Sequence, residues 1–284
     1  METWKFRNFT NVSLGMRGPL EPRKFNAGSR VLSRVDGSGS FGYGTQTSLA
    51  SVTGPIEVRL RDEITDSATL QFIFVPLDGS AGIAAGALGT ELLNLFKPVV
   101  LLHHHPRTQI QVTVQTTSVP PAAAAVAIDS SSSAAPLLLG PDTAILVSEV
   151  AAAINASTMA LLDGGIPLKA TVVAASCAVM HPDSTRRASV SMNDNDVWCV
   201  STNSIVVDPS PEEEAQAKSC HVFAFAISGI DPTAPDKTDA AVQLVYSSGT
   251  GPTSMWTLKQ LIQIASDVAL DTQAFMRSKL VVLC

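Results

Sequence analysis

The chain has 284 residues, 45% of them hydrophobic and 15% charged, which is enough for a full core and excludes a fibrous or mostly disordered protein. Its net charge of −6 argues against a stand-alone nucleic-acid binder, yet the charge is uneven: residues 1–61 hold nine Lys/Arg against four Asp/Glu, and the remainder ten against twenty-one. Cys177, Cys199, Cys220 and Cys284 are widely spaced with no C-x-x-C pair, and no run of about twenty apolar residues offers a span, so an intracellular, non-membrane protein with reduced thiols is expected.

Residues 1–27 read as an irregular N-terminal arm punctuated by Pro and Gly, basic enough at its start to resemble a transit peptide faintly. From Ser29 onward, short alternating runs around Asp36-Gly37 predict a hairpin. Leu70, Phe72 and Phe74 alternate with Gln71 and Ile73 to give a strand, and Leu88, Leu92, Leu95 and Val99 form one stripe of a helix over roughly 87–104. Ile110, Val112 and Val114 then mark a half-polar strand. The stretch from 118 to 136, extended to 140 as a boundary, is low-complexity and reads as a flexible insertion.

Residues 143–168 predict a helix that is apolar or small on nearly every face and must therefore be buried, with Gly164-Gly165 stopping it before Pro167. A buried helix with an accessible N-terminus is suited to holding an anion. Strands follow at 169–180, 187–192, 197–208, 220–227 and 240–248, and a capped amphipathic helix closes the chain. The order points to one α+β domain over 28–284, with mixed β-sheets and packed helices.

Several clusters carry little chemistry. His103-His104-His105 cannot all point one way and lack metal-ligand spacing, so a helix-end surface is the natural reading. Glu212-Glu213-Glu214 reads as the acidic first turn of a short helix, with a carboxylate cluster including Asp208 as the alternative. Arg186-Arg187-Ala188-Ser189 matches a basophilic kinase site weakly. Gly-x-Ser-x-Gly and P-loop motifs are missing.

Five segments in order, "RVDGSGSF" (34–41), "SVTGPIEVRLRDE" (51–63), "HPRTQIQVTVQ" (105–115), "AAINASTMALLDGGIPL" (152–168) and "IVVDPSPEEE" (205–214), resemble the RNase PH family over about 28–280. Within that family they look most like a eukaryotic RNA exosome core ring subunit. The resemblance implies the ribosomal protein S5 domain 2-like fold. It also implies a ring of RNase PH-like partners, S1/KH-type cap subunits and RNA threaded through the ring, in the nucleus and nucleolus and also the cytoplasm.

Active members carry "GGTR" before the "AAI" helix, where backbone and Arg meet phosphate. Here Val147-Ser148-Glu149-Val150 occupies that place, and "LLNLF" (92–96) replaces a run that carries a second arginine. Asp208 matches the family's first strand carboxylate, while the second falls on Cys220. The resemblance therefore implies a non-catalytic subunit with no cofactor and no metal. Ser148, Glu149, Asp208 and Cys220 are the degenerate site, and the first turn is expected to be closed by Ser148 and Glu149 themselves. Arg59, Arg61 and Arg107, in the matching strand motifs, are the expected RNA-facing or interface cations. The alternatives are an active phosphate-dependent 3′–5′ exoribonuclease and a homo-oligomeric nucleic-acid-binding protein outside the exosome.

Overall fold

A computed structural model describes residues 20–77, 82–119, 145–180, 205–229 and 241–281. Its first half builds a five-stranded sheet from β1 (Phe25–Ser29), β2 (Gly37–Tyr43), β3 (Gln46–Glu57), β4 (Thr69–Val75) and β5 (Thr108–Ser118), in the order β1-β2-β3-β5-β4. All pairs are antiparallel except β4 with β5, which are joined by α1 (Ile83–Phe96) in a β-α-β crossover. The second half builds a four-stranded antiparallel sheet, β7-β6-β8-β9, from β6 (Thr171–Met180), β7 (Ile205–Val207), β8 (Ala217–Ser228) and β9 (Ala241–Thr250). The expected α+β class holds.

Helix α2 (Val147–Asp163) packs on β2, β3 and β5 of one sheet and on β6 and β8 of the other. That double contact explains its composition, since Ser148, Glu149 and every residue from Ala151 to Leu161 are buried. The approach to β2 is close enough to require glycine: a Cβ on Gly37 would sit 2.4 Å from Gly164 N, and one on Gly39 2.6 Å from Ala160 N. On the other side the Asn155 amide accepts from Ala174 N (2.8 Å) and donates to Ala174 O and Tyr43 Oη (both 3.0 Å). A buried amide so satisfied fixes the helix register on β6.

The last helix, α4 (Met255–Val281), packs on β6, β8 and β1, where Phe25 meets Phe275 at 5.4 Å. A single continuous buried cluster joins both sheets, α1, α2 and α4.

Several boundaries differ from the sequence reading. Residues 25–27, assigned to the arm, are the first part of β1 because Phe25 packs on Phe41 and Tyr43. Asp36-Gly37 is not the turn itself: Gly37 already pairs with Val52, and the tight reversal lies at Gly44-Thr45, with Gly44 at φ 61°. The helix expected to reach 104 stops at Phe96, before Pro98, which cannot continue it. His103 and His104 lie in a separate 3₁₀ turn, Leu102–His104, with rings edge-to-face at 4.5 Å. The insertion beyond 119, the strands at 187–192 and 197–204, Ser189, Cys199 and Cys284 fall outside the described residues.

Candidate functional site

One end of the α2 sandwich gathers the residues that sequence marked as a degenerate site. After β7 the chain turns at Asp208 (φ 51°) and enters the short helix α3 (Pro211–Gln216). Its start is a full capping box: Ser210 Oγ accepts from Glu213 N, and Glu213 Oε2 accepts from Ser210 N. The acidic first turn was therefore read correctly, and this short helix aims Glu214 across to α2.

There the Glu214 carboxylate accepts from Val147 N and Ser148 N, both at 3.1 Å, and from Ser148 Oγ at 2.8 Å. These are first-turn donors with no partner inside the helix. The N-cap residue, Leu146, offers no side-chain cap. A carboxylate 66 residues away in sequence fills the seat instead, where the helix dipole favours negative charge. Burial pushes the Glu214 carboxyl above the usual range, against the opposing pull of the Ser148 and Val147 hydrogen bonds and of Arg23.

This corrects the expectation that Ser148 and Glu149 close the first turn by themselves. Ser148 does take part, but Glu149 is the third residue of the helix and turns inward, where Thr116 Oγ1 donates to its Oε1. Gln46 Oε1 lies 2.9 Å from Ser148 Oγ, so β3, β5, α2 and α3 all meet at this point.

Beside this seat, Asp208 is almost fully buried and takes a bidentate fork from Arg23, with Nε to Oδ2 at 2.8 Å and Nη2 to Oδ1 at 2.7 Å. Arg23 N adds a third bond to Oδ2, and Arg23 Nη2 also donates to Pro209 O. Burial works against the Arg23 charge, but the Asp208 partner outweighs it and leaves the guanidinium more firmly protonated. Cys220 lies on β8 with its Sγ 3.9 Å from Glu214 O, and burial pushes its thiol up to about 11. Cys177, opposite Val207, is pushed to about 12 by burial, with Asp208 adding to it.

The three candidate cations lie elsewhere, and outside the strands. Arg59 and Arg61 follow the end of β3, and Arg107 precedes β5 at φ 60°. All three are exposed, with Arg107 Nε 3.4 Å from Glu63 and Arg61 Nε 3.4 Å from Asp62. Such exposed pairs are worth little. Among the described residues, no group of three or more His, Cys, Asp or Glu is arranged to hold a metal ion, and no helix is long and apolar enough to cross a membrane.

Arg23 was not found as a site residue from sequence, and Glu214 only as part of a possible carboxylate cluster with Asp208. The acidic first turn was legible locally, but the contact from Glu214 to α2 depends on how the sheets stack. Arg23 sits in a segment that read as an arm, and no local pattern links it to Asp208.

Residues 21–167, just over half of the chain, match the family model described as RNase PH, 3′ exoribonuclease family, domain 1. The chain is 31% identical over 147 residues to the exosome complex component rrp46 of Schizosaccharomyces pombe, covering 52% of this chain and 54% of that one. It thus spans about half the length of that relative. To the exosome complex component RRP46 of Saccharomyces cerevisiae it is 27% identical over 196 residues, 69% of this chain and 70% of the relative. The crystal structure of Rrp46 from rice (Oryza sativa) superposes with a TM-score of 0.67 at 23% identity, covering 93% of this chain and 97% of that chain, which establishes the fold.

Proposed function

The chain belongs to the RNase PH (3′ exoribonuclease) family, and on that premise we propose that it is a non-catalytic subunit of an RNA exosome core ring, of the ribosomal RNA-processing protein 46 branch. Its role is architectural: it completes a ring of RNase PH-like subunits that carries RNA for 3′–5′ processing and degradation, with S1/KH-type caps on the ring. On the same reading its compartments are the nucleus with its nucleolus and the cytoplasm.

The observation that carries this reading is the Glu214 carboxylate at the α2 N-terminus. Phosphorolysis needs a phosphate dianion held by backbone donors and cations beside a phosphodiester. Here the backbone donors are spent on Glu214 and the arginine fork on Asp208. A phosphate placed about 4 Å from an ionised carboxylate would meet roughly 4 kcal/mol of repulsion per unit charge at a near-surface effective dielectric. Among the described residues Arg59, Arg61 and Arg107 have no such internal partner of comparable geometry, and they are the side chains assigned to RNA or a neighbouring subunit.

The test is incubation of the purified protein with poly(A), inorganic phosphate and Mg²⁺. No nucleoside diphosphate release is expected. Release that disappears with Asp208→Asn would establish an active exoribonuclease instead. Native mass spectrometry showing only self-association, with no uptake of other ring subunits, would favour the nucleic-acid-binding homo-oligomer.

A further inference from the structure

The end of α2 opposite the degenerate site opens on a cavity of about 270 Å³, framed by residues 168–171, the end of β8 and Arg277 of α4. Helix α2 has 17 residues, so its two ends lie roughly 25 Å apart. The cavity shares no residue with the seat of Glu214. Two of its lining residues, Lys169 and Arg277, are cationic, and two more, Thr171 and Ser228, carry hydroxyls. None is acidic, and the buried Ile166 and Ile227 contribute an apolar part.

The two cations have no visible task in holding the fold. Among the described residues the side chains of Lys169, Thr171, Ser228 and Arg277 make no hydrogen bond or ion pair. Asp163, next to Leu162 of the lining, is committed to β2, where it accepts from Ser38 N at 3.0 Å and faces Arg30 at 3.5 Å. The last carbonyls of α2 are closed by its own backbone: Gly164 N, Ile166 N and Gly165 N donate to Ala160 O, Leu161 O and Leu162 O. That leaves no capping role for a basic side chain. Two like charges on one cavity repel, so without a counter-charge the pair adds nothing to folding.

The frame around them is nevertheless fixed. Lys169 N donates to Val99 O at 2.9 Å, Leu168 bridges Val100, and Thr171 pairs with Ile227 in the second sheet. Met276, beside Arg277, is 1% exposed and anchors that turn of α4. Donors held in place by the fold lose little freedom when a ligand arrives.

We infer that this cavity seats the phosphate group of a small ligand, either inorganic phosphate or a nucleoside monophosphate. Charge selects the group: a phosphate monoester carries about −1.5 to −2 at neutral pH, which matches two cations. A carboxylate or an RNA phosphodiester brings a single charge and leaves one cation unmatched. The three terminal oxygens of a monoester also use more of the four donor side chains at once than two coplanar carboxylate oxygens do. Size sets the rest, since the cavity falls just under the roughly 300–1,000 Å³ of sites for drug-sized ligands. The inference stands independently of the ring reading.

The experiment is titration of the isotope-labelled full chain at low salt with inorganic phosphate, AMP, adenosine and an oligo(A) lacking terminal phosphates, followed by amide NMR shifts. Saturable shifts of Thr171, Ser228 and Gly229 are expected with AMP or phosphate and not with adenosine. Lys169→Gln and Arg277→Gln should each weaken binding about tenfold, by removing one charge-assisted partner. Both residues are exposed, and circular dichroism checks that the variants fold. Tighter binding of AMP than of phosphate identifies an organic phosphate as the ligand, and equal binding identifies the free anion. No saturable shift with either probe overturns the inference, as does binding that both folded variants retain. Oligo(A) that binds as tightly as AMP through the same residues replaces the small ligand with an RNA backbone and overturns it too. Phosphate shifts confined to Val147 and Ser148 would overturn it and would also count against the closed site at the α2 N-terminus. If a variant does not fold, the location of the wild-type shifts decides.

Discussion

The two ends of the first sheet treat arginine in opposite ways. Near the α2 N-terminus, Arg23 is largely buried and its fork is closed on Asp208, while Glu214 takes up the helix donors. At the other end, Arg59, Arg61 and Arg107 stand exposed beside carboxylates at 3.4 Å or on open loops. The same residue type thus serves stability at one end and is offered outward at the other. Buried charge holds the fold only as a matched set, so its removal should be costly. Exposed charge should be nearly silent in folding and visible only when something binds.

The sharpest way to break that contrast is Arg23→Ala. Asp208, 2% exposed at its side chain, would keep its buried charge with both side-chain bonds from Arg23 gone. Stability should fall by about 3–5 kcal/mol, as for other buried pairs cut on one side. Urea unfolding checks this, and an Arg23→Met/Asp208→Leu double variant should recover most of the loss. If Arg23→Ala is as stable as wild type, the fork is not structural.

A second substitution separates charge from packing in the same region. Gly39→Val would drive a side chain into Met159 and the backbone at Ala160, where even a Cβ lies at 2.6 Å. The expected cost is about 1–3 kcal/mol from overpacking. Its pH dependence should be unchanged, since no ionisable group is touched. A loss that varies with pH would mean that the strand shift reaches Glu214.

Much of this architecture was legible in sequence, because helix α2 and strand β6 carry unbroken small or apolar patterns that only a two-sided core can use. The acidic first turn of α3 was equally local. What sequence could not supply was the chemistry across the gap: Glu149 and Glu214 are both acidic residues near an expected anion seat, and only the stacking of α3 against α2 decides which fills it. Arg107 illustrates the same limit at the exposed end. It belongs to a strand-like motif, but its left-handed backbone puts it just outside β5.

Glu214 gives a smaller, pH-dependent effect. Glu214→Ala leaves Val147 N, Ser148 N and Ser148 Oγ without that acceptor and should cost about 1–3 kcal/mol. Glu214→Gln keeps an acceptor and should cost less. Burial holds the Glu214 carboxyl above its ordinary value of 4.5, so the folded chain binds this proton more tightly than the unfolded chain. Its contribution is fully present below 4.5 and is lost as pH rises through the folded value. Wild type should therefore gain stability relative to Glu214→Gln on acidification from pH 7 towards 5, measured as the difference in Tm. A difference that is flat across that range would remove burial as its source.

The smallest folding effect belongs to the exposed end. Arg59→Ala, Arg61→Ala and Arg107→Ala should each change stability by less than about 0.5 kcal/mol, because all three side chains are exposed and the pairs of Arg61 and Arg107 are solvent-screened. Binding should behave differently if these side chains meet RNA. Each removed phosphate contact should weaken affinity for a single-stranded RNA by a similar factor whatever its sequence, and lower the slope of log affinity against log salt by about 0.7. The measurement belongs on the assembled ring, where the loop around Leu60 keeps its neighbours. Three variants that leave the salt slope untouched but weaken assembly would assign this end to a subunit contact, while a change in neither would leave the arginines as solvated surface.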